Sequence, residues 1–208
     1  TCALPISPTG WTVLYTGGTP RYLSIYYKIA GSSETAPTLT APYTTLNAVM
    51  TAYRGAITTD VIGSNSSSTG ISMTAPQITT ISPYDYVVSN FGTANGTVGT
   101  WTAPGSTNTR FSAANTASVS GLLIVDELKT FPGPTLTRTA TVSSSLAYVA
   151  MAYSIKPANA YFVDPDNGNN NNSGLFYGAA FSGLNGATST KGIKSGDTVR
   201  VKQSPIYN

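Results

Sequence analysis

Tyr22-Leu23-Ser24-Ile25-Tyr26-Tyr27-Lys28-Ile29-Ala30 is the stretch from which the fold is read. Leu23, Ile25, Tyr27 and Ile29 share one parity, and Tyr22, Ser24, Tyr26 and Lys28 share the other. A pleated strand sends successive side chains to opposite faces, so this alternation describes a strand with one aliphatic face. Aromatic and β-branched residues suit such a half-buried surface. No window has a comparably clean helical period. The expectation is an antiparallel all-β protein in which this strand lays its aliphatic face on a facing sheet.

Working outward, residues 11–15 read as a first strand, and Thr16-Gly17-Gly18-Thr19-Pro20 as the turn of a hairpin with the strand above. Residues 38–45 carry two prolines and read as a loop or edge strand. Val49, Thr51 and Tyr53 make 46–54 a weak strand, ended by Gly55. Residues 63–70, Gly-Ser-Asn-Ser-Ser-Ser-Thr-Gly, predict an exposed loop. Strands follow at 74–82 and 84–90, broken at Pro83, and 92–108 reads as a long loop around Trp101. Leu122-Leu123-Ile124-Val125 is an apolar run buried on both sides within a strand at 118–129. After the turn Phe131-Pro132-Gly133-Pro134 come strands at 135–143 and 146–156. The small alanines of the last strand let an opposing sheet approach closely. About eight strands separated by Gly, Pro and Ser turns describe a β-sandwich or jelly roll over residues 1–157.

Composition narrows the class. Hydrophobic residues make up 40% of 208, enough for a core, but charged residues only 9%. The average globular protein carries roughly 25%. The surface is therefore built from Thr, Ser, Asn, Gly and Tyr, a mix common in extracellular and virion β proteins. The net charge of +3 comes from scattered Lys and Arg with no run, so a nucleic-acid partner is not expected. Cys2 is the only cysteine, and no internal disulfide forms. No apolar run is long enough to cross a bilayer, so membrane insertion is not expected either. The absent initiator Met suggests processing or an internal start.

The texture changes at Lys156-Pro157. Tyr161-Phe162-Val163-Asp164-Pro165-Asp166-Asn167-Gly168, Ser173-Gly174, Ala179-Ala180-Phe181 and Ser195-Gly196-Asp197-Thr198-Val199-Arg200-Val201 follow. This extension, 158–208, resembles the opening of right-handed parallel β-helices of the pectate-lyase-like kind. The resemblance implies an opening strand, an Asn/Gly loop to a short capping helix, and a Gly-Asp-Thr-Val stretch that starts the first rung. With the sequence ending at Asn208, at most one rung is expected, whereas solenoids need about three or more repeats. Family catalysis uses later rungs, so no active site transfers. Residues 11–157 are similar to modules of bacteriophage structural proteins. That similarity rests on the Trp11 opening, Tyr26-Tyr27-Lys28-Ile29-Ala30-Gly31, Ala52-Tyr53-Arg54-Gly55 and Met151-Ala152-Tyr153-Ser154-Ile155-Lys156-Pro157. The two resemblances together imply a phage fibre, tailspike base or head-decoration protein.

The residues offer little chemistry. There is no histidine, which removes Ser-His-Asp and Cys-His catalysis and the usual zinc sites. No phosphate-binding Gly-rich loop is present. Asp164-x-Asp166-x-Gly168 is similar to the start of a calcium loop, but position five is Gly and no closing Glu follows. No metal or cofactor is expected, and Asp164 and Asp166 are the candidates if a cation binds. Asp126 and Glu127 are adjacent in a strand, point to opposite faces, and cannot flank one glycosidic bond. An enzyme is not expected.

Thirteen tyrosines exceed what a sandwich core needs. Tyr22, Tyr26, Tyr84, Tyr86 and Trp101 are the candidates for stacking on sugars or packing at an interface. Trp101, in a Gly/Pro loop, leads them. The expectation is a non-enzymatic virion structural protein that docks on capsid or tail proteins. It forms a homo-oligomer, a trimer in preference. The alternatives are an adhesin for host surface glycan and the base of a depolymerase.

Overall fold

The computed structural model describes residues 7–17, 23–40, 47–95, 99–113, 120–158, 160–171, 174, 180–183 and 197–202. Among them there are eleven strands and no helix: β1 (Thr12–Gly17), β2 (Leu23–Tyr27), β3 (Ala56–Ala75), β4 (Thr79–Thr80), β5 (Asp85–Asn95), β6 (Asn108–Ala113), β7 (Ser120–Lys129), β8 (Gly133–Pro134), β9 (Arg138–Pro157), β10 (Ala160–Val163) and β11 (Thr198–Val201). The all-β expectation holds. The chain divides into two units, Thr1–Ala52 with Thr58–Ile155, and Tyr53–Ile57 with Lys156–Asn208.

The first unit is built on a five-stranded sheet in the order β3-β9-β5-β7-β6. β5 sits at its centre and pairs antiparallel with β7 and β9. Phe91 lies opposite Leu123 on one side and Ala150 on the other, so the ring has a small neighbour to lean over. Val87, Phe91, Leu123, Val125, Tyr148, Ala150 and Ala152 bury one face, together with Met73, Ala75, Ile78, Trp101, Ala140 and Val142. Each fully buried Phe, Leu or Val contributes about 1.5–3 kcal/mol. The opposite face is also buried, with Val88, Leu122, Ile124, Val149 and Met151 in it. That explains why β7 and the second half of β9 read as apolar runs and not as alternation.

β3 and β9 are twenty residues each and lie side by side. The Val61 N–H donates to Ser154 Oγ and Thr74 Oγ1 bonds Thr139 Oγ1, so the two strands run in opposite directions. Both fold over. Ser66 Oγ donates to the Thr74 carbonyl, although eight residues of extended chain span about 26 Å. In β9, Ser143, Ser144 and Ser145 are all exposed, while Ala140 and Val142 on one side and Tyr148, Ala150 and Ala152 on the other join the same core. The bent ribbon thus supplies its own second layer, as strands that turn corners do in sandwiches. Thr102 and Thr141 exchange backbone bonds at 2.9 and 3.0 Å, which brings Trp101 into that layer.

The hairpin β1–β2 forms as expected, with a register shift between Val13 and Tyr15. Its turn and Tyr22 lie outside the described residues. The alternating stretch is not the central strand, however. All of β2 is half-buried, and Ile29, beyond its end, is 65% exposed. Leu23 does reach the five-stranded sheet, its Cδ1 lying 4.0 Å from where a Cβ on Gly92 would stand.

Three further expectations change. Residues 63–70 are strand and not loop, because Ser and Thr hydroxyls tolerate an exposed pleated edge. Residues 47–54 form no strand. The segments 135–143 and 146–156 join into one strand, β9. β4 and β8 make a small antiparallel ladder, Thr79 opposite Pro134 and Thr80 opposite Gly133.

In the second unit β10 and β11 pair in parallel, with Tyr161 opposite Val199 and Val163 opposite Val201. Phe181 bridges Val163, also in parallel. Tyr161, Val163 and Phe181 form a small core with Val199 packed on it. The carbonyl of Gly174, at φ 70°, accepts from the Phe162 N–H, and a Cβ there would strike the Phe181 ring.

Candidate functional site

The densest polar constellation lies on the buried face opposite Phe91. Val88 of β5 pairs Tyr153 and Asp126, so these two side chains share that face with Asn90, two residues on. The bulge in β6 between Thr109 and Phe111 inserts Arg110. Bulges re-aim side chains. Here the Arg110 Nε reaches Asp126 Oδ2 at 2.6 Å, with the Asp126 side chain fully buried. Burial pushes the Tyr153 hydroxyl up to about 12, opposed by its hydrogen bond with Asn90 and reinforced by the negative charge of Asp126. Glu127, one residue along, goes the other way and is held by both Nε and Nη2 of Arg138. The two neighbouring acids therefore serve opposite faces, each against its own arginine. The network orders β5, β6, β7 and β9 and does not place two carboxylates across a cleft, the arrangement glycoside hydrolysis uses.

In the second unit Asp164 Oδ1 accepts the N–H groups of Asp166 and Asn167 at 3.1 and 3.2 Å, an Asx turn. Lys202 Nζ lies 3.3 and 3.2 Å from the two Asp164 oxygens and 3.7 Å from Asp166 Oδ2. The ammonium group thus stands where a cation bound by these two acids would stand. Burial raises the Asp164 carboxyl, but the Asn167 N–H, Lys202 and the Asp166 N–H outweigh it and hold it below its ordinary value. Lys202 is correspondingly raised, chiefly by its bond to Asp164. Among the described residues no group of three or more His, Cys, Asp or Glu could hold a metal ion.

The aromatic candidates are dispersed. Trp101 is not on an exposed loop: it is 8% exposed, in the core, and its Nε1 donates to the Ala113 carbonyl at 2.9 Å. The Gly/Pro-rich sequence around it is the strap that brings the indole inward. Tyr26 and Tyr86 are half-buried within β2 and β5. Tyr84 is half-buried, with φ 62° directly after Pro83. That is the pattern of a type II turn, whose third position normally takes glycine.

Sequence reasoning missed an outward ribbon on β4 and β8. Ile78, Thr80 and Thr135 face inward, whereas Ile81 is 71%, Phe131 66% and Leu136 68% exposed, with Pro132 and Pro134 exposed between them. Residues 77–81 and 130–137 hold no charged side chain. The signal was visible as large apolar residues set around prolines in an uncharged stretch. No family model matches the chain, and neither a curated protein nor a solved structure matches it.

Proposed function

We propose that the chain is a non-catalytic structural protein of a bacteriophage virion, docking on capsid or tail proteins and assembling as a homo-oligomer, a trimer in preference. The sandwich is read as jelly-roll-like, and the second unit as the opening of a parallel β-helix. The observation that carries this reading is the parallel pairing in the second unit, where β10 lies between Phe181 and β11 and runs the same way as both. Parallel neighbours need a long crossover, and a parallel pair such as β10–β11 is what the first turn of a coil would supply. The scarcity of charge and the absence of histidine agree with a surface made for packing. The test is the content of gradient-purified particles from cells producing the phage that encodes this chain. The proposal expects the chain in stoichiometric amount with the other virion proteins. Its absence from the particles contradicts the proposal.

A second reading, a glycan-binding adhesin, is favoured by Tyr84 alone. A bulky residue held at positive φ is strained, and strain concentrates at binding sites. Binding of the purified chain to a glycan array, lost in Tyr84→Gly, supports that reading. Absence of binding removes it.

A further inference from the structure

The outward ribbon of β4 and β8 is the surface by which, we propose, copies of this chain meet one another. The inference rests on the assembly reading above and names the face it uses. Along β8 and its flanks, Phe131, Pro132, Pro134 and Leu136 are exposed, and Ile81 follows Thr80, which pairs Gly133. The inward side of the same ladder is anchored. The Thr135 N–H donates to the Ile78 carbonyl at 2.8 Å, and Thr135 Oγ1 accepts from the Ile78 N–H at 3.1 Å. The Gln77 side chain donates to the Thr135 carbonyl at 2.6 Å. The apolar outward side is thus presented on a fixed scaffold.

Size argues for a second copy as the occupant. At these exposures, Phe131, Ile81 and Leu136 with the two prolines offer about 300 Å² of apolar surface. Two copies would bury about 600 Å² of it, and interfaces are roughly 60% apolar, so the whole contact is about 1,000 Å², the lower bound for a specific one. Charge agrees. An uncharged ribbon meets its own copy without like-charge repulsion, and has nothing with which to select a charged partner. Pro132 and Pro134 lack an N–H, so β8 is a poor template for an added strand, and the contact is face to face.

Sedimentation equilibrium over a range of concentrations tests this, with wild type, Phe131→Ser/Leu136→Ser, and Met50→Ser. Met50 is an exposed apolar residue outside the ribbon. The proposal expects the wild type and Met50→Ser to self-associate alike, and the double variant at least tenfold more weakly, with unchanged circular dichroism. Equal association of all three overturns the ribbon as the interface but leaves the assembly reading standing. A wild type that stays monomeric throughout overturns both.

Discussion

Tyr84 holds a φ of 62°, a conformation that costs a residue with a Cβ roughly 1–2 kcal/mol. Replacing it by glycine relieves that strain while losing the ring. Tyr84→Gly should therefore lie within about 0.5 kcal/mol of wild type, whereas Tyr86→Gly, two residues into an extended strand, costs about 2 kcal/mol. Urea unfolding distinguishes the two, and a large loss for Tyr84→Gly would mean its ring is a packing element. Arg110 is the second informative residue. Asp126 is fully buried against it, and an acid left in that position without its partner is costly. Because Arg110 itself is partly exposed, Arg110→Ala is expected to cost about 2–3 kcal/mol, less than a fully buried pair. Adding Asp126→Asn should restore a substantial part of it, as measured by the same unfolding curves. Tyr84 was legible as an aromatic candidate but its positive φ was not, and Arg110 was not legible at all. Arg110 is one cation in a Thr/Ser/Asn context, and only the bulge in β6 turns it toward Asp126.

Among elements, legibility followed burial. The Leu122 to Val125 run and the second half of β9 were readable because both of their faces are covered, which removes polar residues from the pattern. The cleanest alternation, in β2, belongs to a peripheral hairpin, since alternation marks a strand with one wet face and not a central one. β3 was hidden by its Ser-rich middle. Its place beside β9 depends on a feature that composition conceals: a Cβ on Gly63 would run into the Ala152 carbonyl oxygen. Gly63→Ala is expected to cost about 2–4 kcal/mol by forcing the pair apart, with Gly70→Ala, which has no contact under 3.4 Å, costing much less. In the second unit the Asp164–Lys202 pair predicts a two-sided pH dependence. Asp164 is lowered from 3.8, so its contribution is present above that value and is lost as pH falls through the lower folded value. Lys202 is raised from 10.5, so its contribution is present below that value and is lost as pH rises through the higher folded value. Protection of the Asp164 and Lys202 amides, taken relative to the intrinsic exchange rate at each pH, should be greatest between those limits, and Lys202→Met should remove the alkaline limb.

For the whole molecule, what the sequence could convey was the class: little charge, no histidine, many hydroxyls and aromatics, and strands throughout. It could not convey which aromatics would be outside. Trp101 was drawn into the core by the Thr102–Thr141 bridge, while Phe131 and Leu136, placed in and beside a turn, became the exposed surface. Both outcomes depend on pairings between segments far apart in sequence, Thr102 with Thr141 and β4 with β8, which no local window contains. The proposal built on this, that the chain offers surface for assembly in place of a pocket for reactions, has one direct measurement. Native mass spectrometry of the purified chain should find a defined oligomer, three copies of 21.5 kDa in preference, at micromolar concentration. A single 21.5 kDa species at every concentration would contradict it.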